Sequence, residues 1–256
     1  MLHRINLNSD LGEAFGAWPM GDDGAMLDIV ASANIACGFH AGDPMVMTRT
    51  VRAAQGKGVE IGAHPGYADL QGFGRRAMVL SAAEIEAILA YQIGALQGIT
   101  AACGGTVGHV KPHGALSNLA AVEHDVALAV ARGIKAVDPG LIFLAPAGSA
   151  MVEAGRAMGL TVVEEVFADR NYDDFGNLVP RSHPRAMVHD PAEVAAKVLG
   201  MVRDGALRSL SGKLIPCHAQ SVCVHGDDPG AVILARSLRA ALVETGVEVI
   251  PLTEMV

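Results

Sequence analysis

Aromatic side chains are scarce in this sequence: phenylalanine, tryptophan and tyrosine make up only 4% of its 256 residues. Hydrophobic residues of all kinds still reach 51%, so alanine, methionine and the aliphatic side chains must fill the core. No linker, low-complexity segment or repeat divides the chain. This length is typical of one large domain, here 1–256, and α/β barrels often reach it undivided.

Positive charge is also limited, since 19 Lys and Arg face 27 Asp and Glu and give a net charge of −8. Nucleic-acid binding requires clustered Lys and Arg, which the sequence lacks. The least charged stretch, Ala87–Cys103, contains Gln92 and follows a Ser81–Glu84 capping pair, as an ordinary helix would. We therefore expect neither nucleic-acid nor membrane binding.

The four cysteines form no C-x-x-C pair, and the opening residues MLHRIN lack the apolar core of a secretion signal. These two absences predict reduced thiols in a cytoplasmic protein.

Short β-like runs alternate with longer helical runs, which is typical of parallel strands joined by crossover helices. Eight candidate strands can be read, namely Ile5–Asp10, Ser32–Phe39, Val59–His64, Thr106–Pro112, Leu141–Ala145, Thr161–Phe167, Ser221–His225 and Val247–Leu252. Helices are expected after each of the first seven. Seven or eight such units predict a closed or nearly closed barrel. A doubly wound open sheet is the alternative, but the first strand lacks the G-x-G-x-x-G turn of dinucleotide-binding sheets.

Helix starts are marked where an acidic cap precedes a first-turn proline, at Asp43–Pro44, Asp190–Pro191 and Asp228–Pro229. One connection, Asp169–His189, has neither helical nor strand periodicity. Connections of this length in a compact domain are usually functional lids or disordered loops.

The first candidate strand places Asn6, Asn8 and Asp10 on the face opposite Ile5 and Leu7, so the polar set is predicted to point into the barrel. Other candidate strands also finish in ionisable residues, which are His40, His64, Lys111 between His109 and His113, Glu165 followed by Asp169, and His225. Barrel enzymes place their active sites at this C-terminal end of the strands.

Buried charges cost several kcal/mol each unless they are paired. The strand-end groups therefore form either an open active-site pocket or a paired polar plug, and the number of histidines favours the pocket. Arg75 and Arg76 follow the third strand, where they either lie in a solvated turn or bind a carboxylate or phosphate.

Six segments resemble the LamB/YcsF family, and they occur in the family's order: NLNSDLGEAFGAWPMGDD, SANIACGFHAGDP, GAHPGYADLQGFGRR, GHVKPHGAL, EVFADRNYDDFGNLVPRS and VHGDDPGAV. Ser9 stands where the family motif NCDLGE has cysteine, while Asn8, Asp10 and Glu13 are retained. The resemblance implies a seven-stranded, TIM-like parallel (β/α) barrel related to those of polysaccharide deacetylases.

The resemblance also implies ATP-dependent hydrolysis of 5-oxo-L-proline to L-glutamate, with Mg accompanying the ATP and with two partner subunits. Phosphorylation of the lactam oxygen followed by attack of water is a sensible route. The sequence has no G-x-x-x-x-G-K-[ST] P-loop, so the nucleotide site is either of another type or shared with a partner subunit.

Under this resemblance the strand-end groups acquire roles. Asp10 or Glu13 would position or deprotonate water, and His64 or His113 would pass a proton to the leaving amine. Lys111, with Arg75 or Arg76, would neutralise a phosphate or the substrate carboxylate. The full catalytic set is Asp10, Glu13, His64, Lys111, His113 and Glu165. The substrate- or phosphate-binding set is Asn8, Arg75, Arg76, Asp169, Arg170 and His225.

A divalent metal is the alternative use of three of these groups, with Asp10, His40 and His64 as the ligands. Two other functions stay open at this point. One is a stand-alone metal-dependent deacetylase or amidohydrolase, and the other is a non-catalytic ligand-binding subunit.

Overall fold

The first strand of this protein has one apolar face and one polar face, and the polar face points into a closed barrel. A computed structural model describes residues 4–227 and 230–256. Its strands are β1 (Arg4–Leu11), β2 (Ser32–Ala36), β3 (Glu60–His64), β4 (His109–Val110), β5 (Ile142–Pro146), β6 (Val162–Phe167), β7 (Ala206–Arg208), β8 (Leu214–Pro216), β9 (Ser221–Cys223) and β10 (Glu248–Val249).

Seven parallel strands of the described residues close into a barrel in the order β1-β2-β3-β4-β5-β6-β9, because β9 pairs with both β6 and β1. The predicted seven-stranded barrel is confirmed. The helices around it are α1 (Asp23–Met26), α2 (Pro44–Gly56), α3 (Ala82–Ala102), α4 (Gly114–Val122), α5 (His124–Val137), α6 (Ala150–Ala157), α7 (Pro191–Asp204) and α8 (Ala231–Glu244).

Two of the predicted helix starts are confirmed by their caps. The Asp43 carboxylate accepts hydrogen bonds from the backbone N–H groups of Met45 (2.8 Å) and Val46 (3.0 Å) at the start of α2, and Asp190 accepts one from Glu193 (2.8 Å) at the start of α7. The third predicted start, Asp228–Pro229, lies outside the described residues.

The two faces of β1 differ in chemistry: the outward face is apolar and the inward face is polar. Ile5 and Leu7 are fully buried in the large apolar cluster between barrel and helices. On the inward face, the Asn6 amide donates to Ser32 Oγ (2.8 Å) and to the Ile250 carbonyl (2.8 Å). The predicted alternation along the first strand is therefore confirmed.

Several predicted strands are shorter than the sequence indicated. β2 ends at Ala36 rather than Phe39, because Gly38 turns the chain with φ of +92° and its N–H donates to the Ala41 carbonyl. β4 spans only His109–Val110, and Pro112 beyond it has no N–H to extend a ladder.

The eighth predicted strand also differs. β10 pairs only with Arg4 and Ile5 at the start of β1, so it lies beside the barrel strand without becoming part of the closed ring. The β7–β8 hairpin and the division of one crossover into α4 and α5 were not predicted, because neither has its own distinct periodicity in the sequence.

The long connection at 169–189 has no helix or strand, as predicted. Isolated bridges join Arg170 to Met187 and Tyr172 to Leu178, and the Phe167 N–H donates to the Tyr172 hydroxyl (2.7 Å). The connection is therefore tied to the end of β6. Every helix in the described part of the chain is too short or too polar to cross a lipid bilayer.

Candidate functional site

The C-terminal ends of the barrel strands surround a cavity of about 540 Å³, a size suited to a small molecule. Five predicted strand-end residues line it, namely Asp10, His64, Lys111, Glu165 and His225. His40 lies behind them, with its ring centroid 5.4 Å from that of His64. The structure thus brings all six residues to one mouth of the barrel.

Lys111 is the positive charge at the centre of this mouth. Its Nζ donates to Asp10 Oδ1 (2.9 Å) and lies 3.2 Å from Glu165 Oε1. Burial alone would lower the pKa of Lys111, but Asp10, Cys223 and Glu165 around it hold that pKa well above its usual value. The ammonium group therefore stays charged and is shared by two carboxyl groups.

Asp10 is held as a carboxylate. Burial opposes its ionisation, but His64 and Lys111 outweigh burial and hold the pKa of Asp10 well below its usual range. The Asn34 amide also donates to Asp10 Oδ1 (2.9 Å), which favours the ionised form. An ionised carboxylate facing a cavity is suited to accept a proton from water.

A buried histidine fixes the orientation of that asparagine. His109 Nε2 lies 2.7 Å from Asn34 Oδ1, and because an amide oxygen only accepts, Nε2 must carry the proton. Burial lowers the pKa of His109 to about 3, so the ring stays neutral. A Cβ at position 62 would lie 2.0 Å from this nitrogen, so only glycine leaves room for the ring.

Glu165 differs from Asp10 although both contact Lys111. Burial raises the pKa of Glu165 above its usual value. The Asn8 amide donates to Oε1 (2.7 Å), while Oε2 is buried without a hydrogen-bond partner among the described residues. Two carboxyl groups of unequal acidity therefore share one lysine. Such an arrangement suits the more acidic Asp10 to act as a base and the less acidic Glu165 to act as an acid.

A second cluster adjoins the first and consists of Glu13, His40, His64 and His113, whose ligand atoms all lie within 4.8 Å of one another. His64 Nδ1 lies 2.7 Å from the Lys111 carbonyl and His113 Nε2 lies 2.8 Å from the Phe73 carbonyl. Carbonyl oxygens only accept, so both of these nitrogens must carry protons.

The other nitrogens of the two rings, His64 Nε2 and His113 Nδ1, are 3.0 Å apart. His64 Nε2 also lies 3.3 Å from Asp10 Oδ2. A proton or a cation between the two ring nitrogens joins them. Backbone carbonyls that fix histidine tautomers in this way are typical of metal sites.

Unpartnered atoms complete the case for a cation at this cluster. Both ring nitrogens of His40 and Oε1 of Glu13 are buried without hydrogen bonds among the described residues. Burial lowers the pKa values of His40 and His113 well below their usual range, which keeps both rings neutral. Burial, with Asp10 and Asp227 nearby, raises the pKa of Glu13 well above its usual value, and its Oε1 lies 3.4 Å from His40 Nε2. A divalent cation would offset both effects and favour the Glu13 carboxylate. Imidazoles with one carboxylate suit zinc or a similar divalent ion, so these residues fit a metal.

Two members of the predicted metal set of Asp10, His40 and His64 fall in this cluster, since the structure groups His40 and His64 with Glu13 and His113. Asp10 adjoins the cluster, with Oδ2 3.3 Å from His64 Nε2, while its Oδ1 binds the Lys111 ammonium. A second grouping of Asp10 with Cys223 and His225 is disfavoured for the same reason, because Lys111 Nζ donates to Cys223 Sγ (3.0 Å) as well as to Asp10.

The predicted binding residues fall into different places. Arg75, Arg170 and His225 line the cavity, and Asp169 accepts a hydrogen bond from His225 Nδ1 (2.8 Å). Asn8 lies beneath the cavity and binds Glu165, as described above.

Arg76 does not join this set. Its Nε donates to Asp69 Oδ1 (2.8 Å), and its side chain is 65% exposed. The carboxylate of Asp69 thus holds the guanidinium away from the mouth, so the binding role predicted for Arg76 has no support in the structure.

Sequence reasoning missed Asn34 as a partner of Asp10 and His109 as a partner of Asn34, although both occupy inward-facing strand positions that a comparison across strands would have identified. It also missed Arg181, which lines the cavity from the long connection. No periodic signal marks residues in that segment.

Comparison with known proteins agrees with the resemblance. The sequence profile of the LamB/YcsF family matches residues 5–256. A protein of Rhodopseudomonas palustris (strain BisB5), named as a subunit of 5-oxoprolinase, is 57% identical over 249 residues, which are 97% of this chain and 98% of that protein.

Solved structures agree as well. A lactam utilization protein from Thermus thermophilus has a TM-score of 0.91 at 44% identity, covering 96% of this chain and 99% of that one. The catalytic domain of a peptidoglycan N-acetylglucosamine deacetylase from Eubacterium rectale has a TM-score of 0.52 at 14% identity, covering 98% and 89%. At that identity the deacetylase shows the fold alone, and it confirms that the barrel resembles those of deacetylases.

Replacing Lys111 tests whether its ammonium compensates the buried carboxyl groups. We expect Lys111→Met to lower the free energy of unfolding by about 3–5 kcal/mol, because the buried Asp10 and Glu165 lose their shared ammonium and Asp10 keeps only His64 and the Asn34 amide. Urea denaturation measures this change. Adding Asp10→Asn to the variant should recover part of the loss.

Lys57→Met is the matched control, since Lys57 pairs with Asp28 at the surface, where the two side chains are 33% and 63% exposed. Such surface pairs contribute about 0–1 kcal/mol. Equal urea midpoints for the Lys111 and Lys57 variants would contradict the assignment.

Proposed function

We propose that this chain, which belongs to the LamB/YcsF family, is the subunit of an ATP-dependent 5-oxoprolinase in which the lactam ring is opened. One observation carries the proposal: a cavity lined by the ionised Asp10, the charged Lys111 and the less acidic Glu165. The relatives, one named as a subunit of 5-oxoprolinase and the other as a lactam utilization protein, support the substrate class.

The reaction must overcome the stability of an amide bond. Transfer of the terminal phosphoryl group of ATP to the lactam oxygen releases ADP and activates the ring carbon. Water adds to that carbon, the C–N bond breaks and the amine takes a proton. A second water hydrolyses the acyl phosphate that remains, giving L-glutamate and phosphate.

Asp10 is placed to take the proton from the first water, because its pKa is held low and it faces the cavity. Lys111 beside it stabilises negative charge that develops on the substrate oxygen. Both residues line the cavity and contact each other across the barrel (2.9 Å), so a small substrate contacts them together.

The proton for the leaving amine is best assigned to His225. Its Nδ1 binds the Asp169 carboxylate, which orients the ring at the cavity edge. The sequence predicted His64 or His113 for this step. Both residues also line the cavity, but one nitrogen of each ring donates its proton to a backbone carbonyl, so we prefer His225 for the transfer.

A divalent ion, held by Glu13, His40, His64 and His113, would supply Lewis-acid polarisation when bound. The carbonyls of Lys111 and Phe73 orient two of these rings for that purpose.

The name of the relative, which marks it as one subunit of an enzyme, supports partner chains, and we propose two of them. The sequence contains no P-loop, so we assign the phosphoryl transfer, with Mg and ATP, to a site that a partner supplies or shares. Because the reaction consumes ATP, we propose the cytoplasm as the location of the complex.

The proposal is tested by measuring L-glutamate formed from 5-oxo-L-proline by the chain alone and with its two candidate partners, each with and without Mg-ATP. We expect turnover only from the full set with ATP, because the chain carries the hydrolytic groups and not the P-loop. A full rate from the chain alone without ATP would instead indicate a metal-dependent amidohydrolase. No turnover from any combination would contradict the proposal.

Asp10→Asn separates chemistry from packing because it removes the charge and keeps the shape. We expect the turnover of the assembled complex to fall by about 10²–10⁴-fold, as for loss of a general base. The melting temperature should also fall, because the buried Lys111 ammonium loses one of its two carboxyl partners, so turnover is compared at a temperature at which the variant is folded. Asp190→Asn, at a remote helix cap, is the control and should keep the parent rate. If Asp10→Asn also keeps that rate, Asp10 is structural.

Metal analysis tests the Glu13–His40–His64–His113 cluster without relying on activity. After chelation and reloading with zinc, the parent should hold about one ion per chain. His40→Gln should weaken zinc binding at least tenfold, because loss of a residue that only orients a metal ligand already costs ~10–100-fold in affinity and His40 would be a ligand itself. His225→Gln, outside the cluster, should bind as the parent does. Zinc binding that is absent, or equal in all three proteins, would rule out this site.

A further inference from the structure

One wall of the mouth cavity carries three guanidinium groups, those of Arg75, Arg170 and Arg181. The whole chain has a net charge of −8, so this concentration of positive charge is unusual for it. Lys111 in the same cavity is neutralised by Asp10 and Glu165. The arginines form a separate positive surface opposite a carboxylate–lysine centre.

Arg170 is the buried member of this wall, with only 5% of its surface exposed. Its Nη2 donates to the Val179 carbonyl (2.6 Å), but its Nε is buried without an acceptor among the described residues. An unsatisfied donor on a buried charged group is costly, and folded proteins rarely leave one without a partner. A ligand in the cavity would supply the missing acceptor.

A neighbouring carboxylate compensates part of the wall, since Asp227 interacts with both Arg75 and Arg181. Asp227 pairs with Arg75 (2.6 Å), and Asp169 binds His225 (2.8 Å). In residues 4–227 and 230–256, Arg170 has no carboxylate within ion-pairing distance.

Burial, together with the like charges of Arg181 and Arg75, lowers the pKa of Arg170 to about 10. At neutral pH the group is still protonated. Its positive charge therefore remains close to the charges of Arg75 and Arg181. A bound anion would offset the repulsion among the three groups.

The geometry favours a small anion over an acidic protein surface. Arg170 is too deeply buried for a macromolecule to reach, while the cavity of about 540 Å³ admits a small ligand to it. Helices α4 and α6 also begin beside the cavity, at Gly114 and just after Ser149. The positive ends of their dipoles add to the same potential.

We propose that Arg170, with Arg75 and Arg181, forms an oxyanion-binding wall that holds the non-reacting end of the substrate. The oxyanion assignment depends only on the wall itself. Naming its occupant as the carboxylate of 5-oxoproline, or as the phosphoryl group of the activated lactam, rests on the proposed function. In both cases the wall orients the ring carbon toward Asp10 and Lys111.

The test uses the full chain and three probes: 5-oxo-L-proline, 2-pyrrolidinone and inorganic phosphate. The second probe is the same lactam ring without a carboxylate. Binding is measured by titration calorimetry. We expect the parent to bind 5-oxoproline at least tenfold more tightly than 2-pyrrolidinone, and Arg170→Gln to remove this difference, since a charge-assisted hydrogen bond contributes about this factor or more.

Arg76→Gln is the matched control, because Arg76 binds Asp69 outside the cavity, and it should keep the parent's preference. Melting temperatures of all variants report whether Arg170→Gln still folds. If it does not, Arg75→Gln, at the partly exposed rim, should show the same loss in weaker form.

The outcomes separate the two sources of the oxyanion. If both lactams bind alike and phosphate binds only when Arg170 is present, the wall holds a phosphoryl group. If the binding of neither 5-oxoproline nor phosphate depends on Arg170 or Arg75, the oxyanion wall is wrong. Binding could depend on the arginines even though the complex never opens the lactam. That result would support the oxyanion wall and contradict the proposed function.

Discussion

The buried ammonium of Lys111 is the interaction on which the inside of this barrel depends. Asp10 and Glu165 are 5% and 1% exposed, and neither could be retained there without the positive charge between them. The amides of Asn8 and Asn34 donate further hydrogen bonds to these two carboxyl groups. Hydrogen-bonded networks of this kind are rigid, so the groups that face the cavity are held in place before any ligand arrives.

The outer face of the barrel sheet contributes most of the stability, and the inner face carries the polar groups of the site. Outside the ring, Ile5 and Leu7 belong to a continuous apolar cluster shared with the helices, and such burial is the main favourable contribution to folding. A second and much smaller apolar cluster is formed by Ile142, Leu144, Val163 and Leu252. The interior is therefore free to carry polar groups, because the helices outside supply the stability.

Strand-end placement was predictable because parallel strands finish at the same mouth and alternate residues share a face. That is why Asp10, His64, Lys111, Glu165 and His225 were found together. Residues beyond the strands follow turn geometry instead. Glu13 comes after Gly12, whose φ of +69° redirects the chain toward His40, and adjacent arginines separate because Asp69 holds only Arg76. Neither outcome has a periodic signal.

The contact between Gly62 and His109 has an evolutionary consequence. Any side chain at position 62 collides with the imidazole, while loss of the imidazole leaves the Asn34 oxygen beside Asp10 without its donor. A substitution at either position alone is therefore expected to destabilise the protein while the other position keeps its native residue. The two positions are epistatic, so we expect lineages to keep this pair or to exchange both members together.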